Sequence, residues 1–284
     1  MDVSIVLVNY NTKQLTIDCL QSIYEKTYGV NFEVFVVDNA SQDGSSDVIK
    51  ELFPQVKLIE NPENIGFGRA NNVGIKNSNG KYVFLLNTDT VLINNAVKIL
   101  FDFMEKTPEA GACGGNLFDA DREPVHSFGF LKTPIEHLIR FLGFRYLCKR
   151  IKNNTNRGKL QEVGQIIGAD LMLRKSVLDE VGVFDERFFL YFEESELQCR
   201  IQKAGHKIFY IPDAFIFHFE GGSSKKNKKF RRQIIAQSEY LYFSLCYNSY
   251  PKILLKLLCT IPQLYRLIIS PSYTFKALKY IWSN

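Results

Sequence analysis

Three places in this 284-residue chain combine residue types that could do chemistry. Asp89 follows the apolar run Tyr82-Val83-Phe84-Leu85-Leu86 and the polar pair Asn87-Thr88. A hard divalent cation on a diphosphate needs one or two carboxylates and leaves its other positions to phosphate oxygens and water. One strand-end aspartate over a crevice fits that need, and an ordinary turn or cap aspartate is the competing reading. His218 lies in the alternating run Ala214-Phe215-Ile216-Phe217-His218-Phe219. Its imidazole either completes a metal site with Asp89 or is a core histidine satisfied by a backbone carbonyl. The third place is Phe188-Phe189-Leu190-Tyr191-Phe192-Glu193-Glu194-Ser195-Glu196-Leu197. Carboxylates directly after five apolar residues are costly unless they face solvent, a cation or a substrate. Acids also suit the first turn of a helix, and Leu197, Ile201 and Ala204 continue at helical spacing. The aromatic flanks give these acids a partly dry setting in which a general base can be tuned, and their clustering favours a functional role.

Such groups need a frame that brings their loops together. Val3 to Val8 is a short β-branched and apolar run of the kind buried on both faces of a parallel sheet, and it breaks at Asn9-Tyr10-Asn11-Thr12. Leu15, Cys19, Leu20 and Ile23 follow at helical spacing, and Phe32 to Val37 is the next strand, ending at Asp38-Asn39-Ala40-Ser41. A helix near 46–52, a strand at 56–59, a helix near 68–78 and a strand at 82–86 repeat the alternation. It predicts right-handed crossovers and an α/β, doubly wound, mostly parallel sheet. Ligands bind such sheets beyond the carboxyl ends of the strands, where all four polar clusters of this half fall. The Gly-x-x-x-x-Gly-Lys-Ser/Thr loop is absent, and Gly66-Phe67-Gly68 lacks the third glycine of a dinucleotide fingerprint, which argues against a P-loop kinase and a dehydrogenase.

The net charge is +5, yet Lys225 to Asn284 holds eleven basic residues and one acid, and Lys132 to Lys159 holds eight and one. The rest of the chain is therefore an acidic body at −12. Basic residues interleaved with Leu, Ile, Phe and Tyr fit an interfacial helix on anionic lipid at least as well as a solvated face or a nucleic-acid site. Six scattered cysteines without a Cys-x-x-Cys pair suit reduced core residues of a cytosolic protein. The start reads as a first strand, and no stretch of about 18 residues is apolar enough to span a bilayer.

Ser4 to Asn11, Val36 to Ser45, Asn64 to Gly74, Leu85 to Asp89, and Gly182-Val183-Phe184-Asp185-Glu186 through Glu196, ending at His218, together resemble the family-2 glycosyltransferases. Within them the chain is most similar to the rhamnosyltransferase-like branch. The resemblance implies a GT-A fold over residues 1–224, with a nucleotide-sugar half at 1–115 and an acceptor half at 116–224, followed by a basic helical tail at 225–284. It also implies roles. Val8, Asn9, Tyr10 and Asp38 surround the nucleobase and ribose of the donor; Asn64 and Arg69 line the nucleotide and sugar. Asn87-Thr88-Asp89 stands for the Asp-x-Asp element, with Asn87 where the fuller motif has its first Asp. Asp89 and His218 hold Mn2+ or Mg2+. Glu194 maps to the catalytic base, one methylene longer than the family's usual Asp, with Glu196 in reserve and Glu193 orienting its neighbours.

The expected reaction is an inverting single displacement from a dTDP- or UDP-sugar, rhamnose being the branch's default, to a hydroxyl of a glycan or lipid-linked acceptor in cell-surface polysaccharide synthesis. The expected place is the cytoplasmic face of an anionic membrane, with no nucleic acid as partner. Rival readings are a non-catalytic sugar- or nucleotide-binding relative and a nucleic-acid-binding protein using the tail. A nucleotidyltransferase would need an early glycine- and lysine-rich phosphate loop, which is missing.

Overall fold

The computed structural model describes residues 1–141, 158–219, 228–264 and 271–283. In chain order the elements are β1 (Val3–Asn9), α1 (Lys13–Lys26), β2 (Phe32–Asp38), α2 (Ser45–Leu52), β3 (Lys57–Glu60), α3 (Phe67–Asn77), β4 (Tyr82–Leu86), β5 (Thr90–Leu92), α4 (Ala96–Lys106) and β6 (Ala110–Phe118). They continue with β7 (Phe128–Gly129), α5 (Pro134–Phe141), β8 (Gln161–Glu162), β9 (Gln165–Ile166), β10 (Asp170–Arg174), α6 (Lys175–Val181), α7 (Glu193–Lys203), β11 (Lys207–His218), α8 (Lys228–Cys246), α9 (Lys252–Leu264) and α10 (Pro271–Ser283). Most of the basic segment, at 142–157, with Cys148, Arg145, Lys149 and Arg150, lies outside the described residues. So do Lys225, Lys226 and Arg266 of the tail.

The main sheet runs β3-β2-β1-β4-β10-β6-β11-β5, with β8 pairing on β11. Its first four strands are parallel, as the strand–helix alternation predicts. β10 then inserts antiparallel between β4 and β6, β11 runs parallel to β6, and β5 closes the edge antiparallel to β11. Val3, Ile5, Val6 and Leu7 of β1 and all of β4 are buried, because central parallel strands are covered on both faces. One face packs on α1, α2 and α4 through Leu20, Ile23, Ile49, Leu100 and Met104. The other packs on α3, α6 and α7 through Ile75, Leu178, Leu197 and Ile201. Gly74 is what lets α3 lie close on β1, since a Cβ there would run into the Val6 side chain.

The tail helices have a core of their own, and the acidic loop is part of it. Tyr240, Tyr242 and Phe243 of α8, Leu255 and Cys259 of α9, and Ile281 of α10 are buried with Phe188, Phe192 and Cys199. Tyr242 donates its hydroxyl to the Lys132 carbonyl (3.0 Å), and Ser238 donates to the Leu190 carbonyl (2.9 Å). Removing the whole tail would thus uncover Phe188 and Phe192 as well as remove charge. Among the described residues no helix is long and apolar enough to cross a membrane, and Cys19, Cys113, Cys199, Cys246 and Cys259 are all buried free thiols.

Candidate active site

The carboxyl ends of β1, β2 and β4 meet in one hydrogen-bonded cluster. Asn9 and Asp38 face each other in the β1–β2 register. Asn9 Nδ2 donates to Asp38 Oδ2 (2.6 Å), and Asn9 Oδ1 accepts from Thr12 (2.7 Å) and Thr16 (3.0 Å). The Thr12 and Thr88 hydroxyls share a further bond (3.0 Å), which ties β1 to the turn after β4. Asp38 Oδ1 accepts the Ser41 N–H (2.8 Å), and Ser41 in turn accepts from Asn11 N–H (2.9 Å). Asn9 and Asp38 are therefore buried and set the shape of the two loops, while Tyr10 is 38% exposed and Val8 half-buried. Ala40 and Asn11 hold positive φ in those loops, a cost typical of binding sites whose surroundings over-determine the backbone.

The loop at 61–66 is stitched across to the acidic loop. Asn39 accepts from Asn61 and Ile65, and Asn64 accepts from Asn39 and from the Gly66 N–H. Phe67 N–H donates to the Phe189 carbonyl (2.9 Å), Arg69 Nε to the Glu186 carbonyl (2.6 Å), and Asn72 exchanges two bonds with the Phe184 backbone. Gly66 permits the approach: its φ is +91°, and a Cβ would lie 2.6 Å from the Phe189 oxygen. Asn64 and Arg69 thus flank the junction of this loop with the segment at 184–189.

Past this junction Tyr191 and Phe192 both take φ +68°, and α7 begins at once with Glu193. The turn sends the three carboxylates to different environments. Glu196 is buried and held bidentately by Arg200 (2.8 and 2.8 Å), whose guanidinium also donates to the carbonyls of Val181, Gly182 and Val183. Glu193 is buried against Gly68, and among the described residues its Oε2 has no hydrogen-bond partner. Burial first, and then the charge of Glu194, push Glu193 well above the usual carboxylate range. Glu194 packs on Gly168, and its Oε2 is also buried without a partner. Burial raises it too, while its own and the Ser195 backbone N–H groups and the Lys132 charge pull it back. Of the pair, Glu194 ionises first, because it has the cation and Glu193 has the like charge.

Asp89 and His218 come together only through the sheet. β5 pairs antiparallel with β11, setting His218 opposite Thr90, and the Phe219 N–H donates to the Asp89 carbonyl (2.9 Å). His218 Nε2 then lies 3.4 Å from Asp89 Oδ1, both side chains being about nine-tenths covered. The same turn reaches Glu194: Asn87 N–H donates to the Ala169 carbonyl (2.9 Å), and Ala169 follows the Gly168 on which Glu194 packs.

The family model described as glycosyl transferase family 2 matches residues 4–182. The chain belongs to glycosyl transferase family 2. A curated relative from Mycobacterium tuberculosis, N-acetylglucosaminyl-diphospho-decaprenol L-rhamnosyltransferase, is 26% identical over 227 residues, 74% of either chain, so this family-2 member is rhamnosyltransferase-like. Among solved structures, GalNAc-T7 with UDP, GalNAc and Mn2+ superposes at TM-score 0.61 and 16% identity over 86% of this chain and 48% of its own. The mannosyltransferase PcManGT from Pyrobaculum calidifontis, in complex with GDP-Man and Mn2+, superposes at 0.59 and 19% identity over 98% and 73%. The fold of this family-2 chain is GT-A, as its resemblance implies.

A divalent ion fits the Asp89–His218 pair. Two ligands in adjacent positions on such an ion stand roughly 3 Å apart when each bond is about 2.1 Å, close to the 3.4 Å found. Nε2 of His218 is the nitrogen that faces the carboxylate, and among the described residues its buried Nδ1 has no hydrogen-bond partner. No group of three or more His, Cys, Asp or Glu gathers among the described residues, so Asp89 and His218 are the pair that would hold such an ion.

Two residues of the site escape a reading by sequence. Lys132 counts there only as the start of a basic segment, yet its Nζ lies 4.2 Å from the Phe192 ring centroid and its charge acts on Glu194. Asp170, opposite Leu86 on β4, is fully buried; it accepts the Gly115 N–H (2.5 Å) with one oxygen, and its other oxygen has no partner. Burial pushes it well above the usual carboxylate range. No periodicity marks either residue. The Arg200 fork also separates the candidate bases: Glu196→Gln is expected to lower the melting temperature measurably while turnover stays within about tenfold, as a group outside general-base catalysis should. A loss of turnover as large as that from Glu194→Gln would move the base to Glu196.

Proposed function

We infer that this glycosyltransferase transfers a sugar with inversion, rhamnose being the first candidate, from a dTDP- or UDP-sugar to a hydroxyl of a glycan or lipid-linked acceptor in cell-surface polysaccharide synthesis. The carrying observation is half-buried Glu194, whose Oε2 is buried and among the described residues has no hydrogen-bond partner, and which packs on the Gly168–Ala169 segment that hydrogen-bonds the Asn87-Thr88-Asp89 turn. Glu194 takes the proton from the acceptor hydroxyl as that oxygen attacks the anomeric carbon. The bond to the nucleoside diphosphate breaks on the opposite face and its electron pair leaves with the phosphate. Burial and the Glu194 charge both oppose ionisation of Glu193, which leaves Glu194 as the base of the pair. Val8 and Tyr10 cover the nucleobase, the Asn9–Asp38 pair holds their loops in place, and Arg69 and Asn64 order the loop over the sugar. Asp89 and His218 would hold Mn2+ or Mg2+, which supplies positive charge to the departing diphosphate. The similarity to a rhamnosyltransferase named for a diphospho-decaprenol substrate supports a lipid-linked acceptor, and with it attachment at the cytoplasmic face of a membrane.

A thermal-shift panel of dTDP-, UDP- and GDP-sugars with and without Mn2+ tests the donor assignment. A ligand at one hundred times its Kd adds about 2.7 kcal/mol, a rise of roughly 5 °C in a protein of this size. A dTDP- or UDP-sugar is expected to give that rise only with the metal; a shift from GDP-sugars alone would overturn the assignment.

A further inference from the structure

Helices α8, α9 and α10 border a small cleft, open to solvent, that no part of the reaction uses. Lys229, Arg232 and Gln233 of α8 line it with Gln263 of α9 and Tyr273 and Thr274 of α10. Lys229 and Arg232 are three residues apart and so share one face of the helix. Among the described residues no carboxylate pairs with either. Glu239, the one acid between Lys225 and Asn284, is turned to His137 instead (3.1 Å). Gln263 and Thr274 are 4% and 6% exposed, so the cleft has buried polar side chains beneath two cations at its mouth.

The rim is of the opposite character. Leu264 and Phe275, the chain neighbours of Gln263 and Thr274, are 52% and 68% exposed. Ile253 and Leu257 lie on the same face of α9 as Leu264, and Trp282 lies two turns beyond Phe275 on α10. Trp282 bridges the two helices, donating its indole N–H to Thr260 (3.0 Å) under the Lys256 ammonium. Scattered exposed apolar residues are ordinary, but large ones on two adjacent helices interleaved with Lys252, Lys256, Lys276 and Lys279 form the pattern of a helix pair lying in a lipid interface.

We propose that this cleft binds the phosphate of an anionic membrane lipid, with Leu264 and Phe275 entering the acyl boundary beside it. Free phosphate would account for the cations and leave the apolar rim without purpose; a phosphate carried on a lipid needs both. The site deepens the membrane attachment in the proposed function and locates it on α8 to α10.

The test is sedimentation of the full-length chain with phosphatidylcholine vesicles, with and without phosphatidylglycerol. The pair Lys229→Gln/Arg232→Gln is compared with Lys276→Gln/Lys279→Gln, which removes the same charge outside the cleft. Melting temperatures and circular dichroism confirm that each variant is folded. The cleft pair is expected to lose roughly tenfold more affinity for anionic vesicles than the control pair, since charge-assisted hydrogen bonds exceed diffuse attraction. Phe275→Ser is expected to weaken binding as well. Equal losses in the two charge pairs would reduce the site to diffuse charge and overturn the proposal. Stabilisation by inorganic phosphate as strong as that by dihexanoyl phosphatidate would make it a free-anion site, and tighter binding to duplex DNA than to anionic vesicles would make it a nucleic-acid site. The sugar-nucleotide panel reads the donor site separately, so either result can fail alone.

Discussion

Glu194→Gln is expected to cut turnover by about 10²–10⁴-fold, the range for losing one positioned general base, with donor binding unchanged. The substitution keeps the volume and removes only the proton-accepting oxygen. That oxygen has no partner among the described residues, so stability should hold or rise. Single-turnover kinetics with saturating donor isolate the step; near wild-type turnover would remove Glu194 from the chemistry. A pH profile gives an independent reading. Burial lifts Glu194 above its ordinary value of 4.5, so the acid limb of kcat/KM should lie above pH 4.5. Glu193 is lifted further and shapes stability. Between the ordinary carboxylate value and its raised folded value, the unfolded chain has released a proton that the folded chain still holds. Stability from this group is thus full at lower pH and falls as pH rises through that window. Glu193→Gln should flatten the fall in melting temperature over the same range.

The second large effect belongs to Asp89. Asp89→Asn retains the shape of the turn and removes the one carboxylate among the described residues that lies at ion-pair distance from His218. Turnover is expected to drop by about 10²–10³-fold, the scale for removing one preorganised electrostatic stabiliser of developing charge. Mn2+ titration by calorimetry, in the presence of nucleoside diphosphate and without acceptor, checks the cause: affinity should fall by about tenfold or more. Wild-type Mn2+ affinity in Asp89→Asn would mean that the pair in the crevice is a plain hydrogen-bonded dyad. His218→Ala should follow in the same direction, because the imidazole is the other group at the 3.4 Å contact.

How far each of these residues was legible follows from the range of the contact it depends on. β1, β2 and β4 and the helices between them are local patterns: mostly apolar runs of five to seven residues broken by polar clusters, and helices with one buried stripe. They place Asn9, Asp38, Asn64 and Asp89 at one edge of a sheet without further information. Even the Glu196–Arg200 pair was open to view, since a spacing of four on a helix brings such side chains together. Its burial was not, and burial is what removes Glu196 from the list of bases.

His218 belongs to the other class. Alternation puts it on a strand, but its meeting with Asp89 requires β11 to pair with β5 from the far end of the chain, a register that no local signal specifies. Lys132 is similar: in sequence it is one more basic residue, and it reaches the acidic loop only because the Lys132 carbonyl is anchored by Tyr242, 110 residues away. The tail is the clearest case. Tyr240, Tyr242 and Phe243 on one side, and Leu264, Phe275 and Trp282 on the other, are all large apolar residues in a basic stretch. Residue type and helical spacing were sufficient to mark helices with apolar faces. Which face closes over Phe188 and Phe192 and which is left to meet lipid is a matter of long-range packing, because hydrophobic burial is non-directional and the sequence alone does not say what will cover a given side chain.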